Sequence, residues 1–323
     1  MPFTRSQLDE AVEIVREQVP PTPQFAWPLL AAELGAEVWV KHENHTPTGA
    51  FKVRGGLVYM HRLRRDRPDV AGVISATRGN HGQSIAFAGR VNGVSATIVV
   101  PHGNSPDKNA AMRAWGAELI EHGHDFQAAR EFACAQAIEL GLEMVPSYHT
   151  NLAVGVGTYA KELFDAAGEL DAVYVPVGMG SGICGLIGVR DLLGVRTEIV
   201  GVVAERAPAS ALSFEAGRVV STDSADTFID GVACREPDPE AIELMVRGAA
   251  RFVRVSEALC ADAVRLLVRT THNLAEPAGA VATAALMAER DRQQGKRVGV
   301  VLSGGNLDAT LMPVLIAGGT PSV

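Results

Sequence analysis

Three short stretches of the chain carry residue types that can do chemistry. In His45-Thr-Pro-Thr-Gly-Ala-Phe-Lys-Val-Arg-Gly55, proline and glycine break the backbone, and Lys52 sits between Phe51 and Val53. Apolar neighbours strip water from an ammonium group and lower its pKa. The neutral amine that results can attack a carbonyl to form a Schiff base. The same flanks also suit a surface lysine whose stem lies along apolar side chains. In Val175-Pro-Val-Gly178-Met-Gly180-Ser181-Gly182-Ile-Cys-Gly185, glycines follow an apolar run and open a helical pattern. Backbone N–H groups there can close around a phosphate at the positive end of a helix. Part of this loop, Gly180 to Gly185, also fits the dinucleotide fingerprint, with Glu205 standing where a ribose-binding acid would be. By itself the loop therefore also admits an NAD-dependent Rossmann dehydrogenase. In Ser75-Ala-Thr77-Arg78-Gly79-Asn80-His81-Gly82-Gln83-Ser84, hydroxyl, amide and N–H groups gather at another helix start. That is a carboxylate pocket or a plain capped helix.

These loops need a scaffold, and the hydrophobic pattern supplies one. Apolar runs at 70–76, 96–100, 117–120, 172–177, 199–204 and 298–302 read as buried strands, and 37–41 alternates like a short one. Helical patterns at 80–91, 125–140, 207–216, 256–269 and 277–291 lie between them. Alternation of strand and crossover helix is the signature of parallel α/β sheets, which bind ligands at the carboxyl ends of their strands. The three loops fall at such places. An opening helix over 6–18, with Ser6 as its N-cap, is closed by Pro20-Pro21-Thr22-Pro23. The tail from Gly318 reads as frayed.

Composition excludes several classes. The chain has 323 residues, 47% hydrophobic and 20% charged, enough for two packed lobes. A net charge of −8 and a pI near 5.6 offer no basic stripe for nucleic acid. The one basic run, His61-Arg62-Leu63-Arg64-Arg65, reads as a solvated helix end. Neither a signal peptide nor an apolar span long enough for a bilayer is visible. Cys134, Cys184, Cys234 and Cys260 are scattered and read as small buried hydrophobes in a reducing compartment. No metal site is expected, since His122-Gly-His124-Asp125 reads as a surface turn.

The landmarks Pro47-Thr-Gly-Ala-Phe-Lys52-Val-Arg-Gly, Gly79-Asn-His-Gly-Gln83, Gly178 to Gly182, Asp230-Gly231-Val232, Glu276-Pro-Ala-Gly-Ala280 and Ser303-Gly-Gly-Asn306 occur in one order. In order and spacing they resemble the fold-type II pyridoxal phosphate (PLP) enzymes, in the serine/threonine dehydratase and serine racemase branch. The resemblance runs from about Pro21 to the end of the chain. It implies an α/β, tryptophan synthase beta-like architecture with parallel-rich twisted sheets flanked by helices. A large PLP-binding domain would take 1–52 and 145–323, and a small inserted domain 53–144. Lys52 would carry the cofactor as a Schiff base and then act as the base at Cα. Phe51 would lie on one face of the ring, and Gly231 would let the backbone approach the other. Asn80 would bond the phenolic oxygen, and Glu276 would also stand among the cofactor contacts. Gly178, Met179, Gly180, Ser181 and Gly182 would hold the phosphate, and Ser303 would meet the pyridine nitrogen. Thr77, Arg78, Asn80 and His81 would hold the substrate.

A neutral hydroxyl at the ring nitrogen makes a weaker electron sink than a carboxylate would, which favours loss of a β-leaving group over transamination. The resemblance thus implies a cytoplasmic homodimeric ammonia-lyase. It would eliminate water from a small L-3-hydroxy amino acid of the threonine or serine type. A β-replacement synthase and a non-catalytic PLP carrier are the other readings of the same landmarks, and the Rossmann dehydrogenase explains only one of them.

Four departures from the family stand out, the first being that Met179 and Ser181 interrupt the usual run of glycines and leave the phosphate role intact. Arg78 occupies the position where racemases carry a serine as second base, and a guanidinium cannot serve as a base. If buried, it would need an anionic partner: the substrate's α-carboxylate, a second carboxylate as in 3-hydroxyaspartate, or Glu276. If it points outward it merely fills the slot. Val203 and Ala209 stand where some members carry acidic ligands for a divalent cation, so no cation requirement is expected. The chain also leaves no room for the C-terminal regulatory domain of biosynthetic threonine dehydratases.

Overall fold

A computed structural model describes residues 2–322. Helix α1 (Arg5–Arg16) is followed by strand β1 (Gln24–Ala26), α2 (Pro28–Leu34), β2 (Glu37–His42) and α3 (Lys52–Asp66). Then β3 (Val73–Ala76), α4 (Asn80–Asn92), β4 (Ala96–Val100), α5 (Pro106–Ala114), β5 (Glu118–Glu121), α6 (Phe126–Leu140) and β6 (Glu143–Met144) alternate. The last part of the chain forms α7 (Thr150–Ala167), β7 (Ala172–Pro176), α8 (Ser181–Leu193), β8 (Glu198–Ala204), α9 (Ala209–Ala216), α10 (Pro239–Gly248) and β9 (Arg251–Val255). It ends with α11 (Glu257–Thr271), α12 (Pro277–Ala288), β10 (Arg297–Leu302) and α13 (Met312–Ile316).

Two sheets result. The first has six strands in the order β1-β2-β10-β7-β8-β9, parallel except for the β1–β2 pair. The second has four parallel strands in the order β5-β4-β3-β6. The strands read as continuous apolar runs because both sheet faces are covered. In β7, Val173 and Val175 join the core shared with α3, α7 and α8, while Ala172 and Tyr174 join the core under α11 and α12. Ile74 and Val99 of the small sheet pack against Ala129, Ala133 and Ala137, which recur every fourth residue along α6. Each large apolar side chain so buried contributes about 1.5–3 kcal/mol.

Several local expectations change. Thr4, not Ser6, caps α1, because Gln7 at the third helical position answers it in a reciprocal capping box. The run at 117–120 becomes an edge strand, β5, and edge strands keep one side in water. Arg62 is buried, not solvated: it pairs with Glu10 of α1 at 2.5 Å and donates to Asn151 of α7 at 2.8 Å. Cys134 is exposed, one residue off the alanine stripe of α6, while the other three cysteines are buried and free. Asp125 caps α6 within the His122–Asp125 turn, accepting from the Ala128 N–H at 2.8 Å. The tail is tied down, since Arg265 donates to the Gly319 carbonyl at 2.9 Å.

Candidate active site

The carboxyl ends of β2, β3, β7 and β10 lead into the three loops and the Ser303 turn, which line one cavity of about 560 Å³, a volume suited to a cofactor plus a small ligand. Phe51, Lys52, Thr77, Arg78, Asn80, His81, Gly178, Met179, Gly180, Ser181, Gly182, Gly231, Glu276 and Ser303 all line it. Every candidate residue read from the sequence is therefore gathered in one place.

Lys52 opens α3. Its carbonyl accepts from Ser84 Oγ at 2.6 Å, which fastens the lysine segment to α4. The Phe51 N–H donates to the Ser303 carbonyl at 3.0 Å, so the Ser303 turn is fixed beside it. The lysine Nζ is 3.3 Å from Ser181 Oγ and 5.2 Å from the centre of the Phe51 ring. Burial without an anionic partner pushes its pKa down to about 8. Phe51 itself is set edge-on against Tyr159, whose hydroxyl donates to the Gly182 carbonyl at 3.2 Å.

The glycine loop begins α8. Gly180 has φ 101°, and a Cβ there would lie 2.3 Å from Met245 Cε, so only glycine fits. At Gly178 a Cβ would stand 2.8 Å from the Gly231 carbonyl oxygen, because the two backbones close in on each other. The positive end of α8 is thereby left with bare backbone, a receptor for phosphate oxygens.

On the opposite wall, Asn80 donates to Glu276 Oε1 at 2.6 Å and accepts from Asn306 Nδ2 at 2.8 Å. Asn306 also donates to the Thr48 carbonyl at 2.8 Å, which ties this wall to the lysine loop. Glu276 is buried. Its pKa is pushed up to about 7 by burial and by the carboxylate of Asp230, against the pull of Lys108. Lys108 is ion-paired to Asp230, and its stem runs past Gly79, where a Cβ would lie 2.8 Å from Cδ. His81 is buried beside the lysine charge, and burial together with Lys52 pushes its pKa down to about 3, so it is neutral.

Arg78 is not buried, so the expectation of a buried ion pair does not hold. It is exposed within the cavity, and among the described residues it has no ion pair and no hydrogen bond. Glu276 is not its partner: its Oε1 accepts from Asn80, and no ion pair joins it to Arg78. The residues missed by sequence reasoning are Lys108, Tyr148 and the ion cluster behind Lys52. Arg54 donates to Glu43 Oε2 at 2.8 Å and to Glu162 at 2.8 and 2.9 Å, and Lys41 reaches Glu162 at 2.6 Å. Charged residues inside otherwise apolar segments were the available signal. Partners more than a hundred residues apart, such as Arg54 and Glu162, leave no local pattern.

The donor set fits a phosphorylated pyridine aldehyde. A buried amine of lowered pKa faces a bare helix end, and three buried polar atoms in the cavity wall await partners: Tyr148 Oη, His81 Nε2 and Glu276 Oε2. Comparison with known proteins agrees. The family described as "Pyridoxal-phosphate dependent enzyme" matches residues 15–304. The chain is 31% identical over 318 residues to the L-threonine ammonia-lyase of Thermotoga maritima, covering 97% of this chain and 78% of that one. It is 32% identical over 298 residues to the L-threo-3-hydroxyaspartate ammonia-lyase of a Pseudomonas species, covering 92% and 93%. The processed threonine deaminase isoform 2 of Solanum lycopersicum superposes with a TM-score of 0.90 at 26% identity, covering 98% and 94%. With cavity, landmarks and relatives in agreement, the chain belongs to the pyridoxal-phosphate dependent enzymes and is a PLP-dependent ammonia-lyase.

Proposed function

We propose that this enzyme eliminates water from a small L-3-hydroxy amino acid of the threonine or serine type, releasing a 2-oxo acid and ammonia. The observation that carries the reading is Lys52. Its amine is buried, short of any anion, and flanked by a bare phosphate receptor on one side and an uncapped helix start on the other. When bound, pyridoxal phosphate supplies the aldehyde for that amine and a conjugated ring able to take up the electron pair left at Cα. The backbone of Gly178, Met179, Gly180 and Gly182 and the hydroxyl of Ser181 would hold its phosphate. Phe51 and Gly231 would flank the ring, Asn80 with Glu276 would hold its oxygen edge, and Ser303 would meet its nitrogen.

Thr77, Asn80 and His81 hold the substrate carboxylate at the start of α4, where Gly79 offers no capping side chain to compete for the N–H groups. Lys52 removes the Cα proton and, once charged, can pass a proton to the departing hydroxyl. Hydroxide leaves poorly without one. Ser303, whose hydroxyl lies 3.3 Å from the Ala278 carbonyl, is a neutral partner and brings no carboxylate to hold a positive charge on the ring. This supports elimination over amino-group transfer.

The domain division 1–52 with 145–323 and 53–144 is supported by the two sheets, since β3 to β6 lie wholly within the inserted segment. A homodimer is supported by exposed Leu29, Val268, Val314 and Ile316 on α2, α11 and α13, with α11 touching both others. A cytoplasmic location accords with four free cysteines, and no described helix is long and apolar enough to cross a membrane. Incubation of the holoenzyme with a panel of 3-hydroxy amino acids should release 2-oxo acid and ammonia in equal amounts. Product that appears only when sulfide or another nucleophile is added would replace this reading with a β-replacement synthase.

A further inference from the structure

We propose that Arg78 receives a second carboxylate of the substrate, so that the preferred 3-hydroxy amino acid is a dicarboxylic one of the 3-hydroxyaspartate type; this rests on the elimination proposed above. Two receptors for negative charge lie side by side in one loop. The first is the start of the thirteen-residue helix α4, capped by a glycine with no side chain to offer. The Gly79 N–H is already given to Thr77 Oγ1 at 3.0 Å, while Asn80 and His81 open the helix on the cavity wall. That receptor is enough for one α-carboxylate. The second is the guanidinium of Arg78, exposed in the cavity between two buried neighbours, Thr77 and Gly79.

Among the described residues no acid pairs with that guanidinium. Of the other cations that line the cavity, Lys108 is paired with Asp230, and Arg235 is 4.0 Å from Asp125. Asp226 is paired with Arg206, and Glu276 is held by Asn80. A substrate with a single carboxylate leaves Arg78 without a partner. One with a second carboxylate gives it a planar, two-pronged acceptor, the geometry to which arginine is matched. Among the described residues Arg130, on α6, is likewise without an ion pair and lines the same cavity, but it lies outside the carboxylate loop. It is the internal control for a mere charge effect.

The test uses holoenzyme and two pairs of ligands. L-threo-3-hydroxyaspartate against L-threonine gives a ratio of kcat/KM. L-aspartate against L-alanine gives a ratio of dissociation constants, read from cofactor absorbance, without any leaving hydroxyl. Wild type should favour the dicarboxylate of each pair by roughly 10- to 100-fold, the range of one charge-assisted contact. Arg78→Ser should bring both ratios close to one, and Arg130→Ser should leave them in place. A wild type with no preference overturns the proposal. So does an Arg78→Ser variant whose ratios are unchanged, or an Arg130→Ser variant that erases them. If no hydroxy amino acid is turned over yet the aspartate preference depends on Arg78, the elimination falls and the assignment of Arg78 stands.

Discussion

Arg54 and Arg78 are both arginines close to the lysine machinery, and their surroundings are opposite. Arg54 is completely buried and donates to Glu43, Glu162, Thr158 and Thr22, with Lys41 completing a cluster of two cations and two carboxylates. Burial opposes its charge, but Glu43 and Glu162 more than compensate and hold its pKa above the ordinary range. Arg78 is exposed and has no partner among the described residues. The difference separates two uses of charge. The cluster joins β2, α3 and α7 and ends in itself, with every donor answered. The cavity wall leaves donors and acceptors open, which in a folded chain is costly unless a ligand completes them.

Lys52 gives the largest break in that comparison, because it sits on the open side. Lys52→Ala should remove the visible absorbance of the bound cofactor and lower turnover by roughly 10³-fold or more. Denaturant unfolding of the cofactor-free protein should change little, since the lysine Nζ has no ion pair to lose. A variant that keeps both colour and rate would end the proposed chemistry.

Arg54→Ala attacks the closed side. It would strand Glu43 and Glu162 in the interior and should cost about 3–5 kcal/mol in unfolding free energy. Arg78→Ser, by contrast, should stay within about 0.5 kcal/mol of wild type. Equal losses for the two variants would show that Arg78 carries a structural contact and that the contrast is wrong.

The same contrast marks what could be read from sequence. The ligand-facing residues lie in compact loops, so Gly178 to Gly182, Thr77 to His81 and the segment around Lys52 show themselves by type and local spacing. The apolar runs gave both sheets in outline, although β9 escaped notice because Arg251 and Arg254 interrupt it. Arg54, Glu43 and Glu162 lie on three different elements, and only the fold brings them together. Arg62 misled for a related reason. Its neighbours Arg64 and Arg65 are solvated, while the helical turn takes Arg62 inward to Glu10 and Asn151.

Glu276 sharpens the comparison through pH. Unlike Glu162, held below the ordinary range by Arg54 and Lys41 in spite of burial, Glu276 is raised by burial and by Asp230 from an ordinary 4.5 to about 7. Between those values the folded state holds a proton that the unfolded chain has lost. Stability from this group is therefore full below the ordinary value and is lost as pH rises through about 7. From 4.5 to about 7 the loss should come to about 3 kcal/mol. Glu276→Gln, which cannot ionise, should flatten that part of the pH profile in denaturant unfolding of the cofactor-free protein. An unchanged slope would mean that Glu276 keeps its charge in the fold.

The smallest expected signal is racemisation. Returning a proton to Cα from the side opposite Lys52 needs a group that can both give and take one at neutral pH. Arg78 stands where racemases place a serine, and a guanidinium does not serve as a base at neutral pH. His81 is the neighbouring titratable group, but burial and the charge of Lys52 push its pKa down to about 3, so it is rarely protonated. Neither can cycle a proton. With L-serine, D-serine should form at well under about one hundredth of the elimination rate, a barrier difference above roughly 2.7 kcal/mol. Chiral chromatography of residual substrate during turnover measures it directly. Arg78→Ser restores a hydroxyl at this position and should raise the share of D-serine. If wild type interconverts the two serines as fast as it eliminates water, the unpaired guanidinium is not what sets the outcome at Cα, and another proton donor faces the substrate.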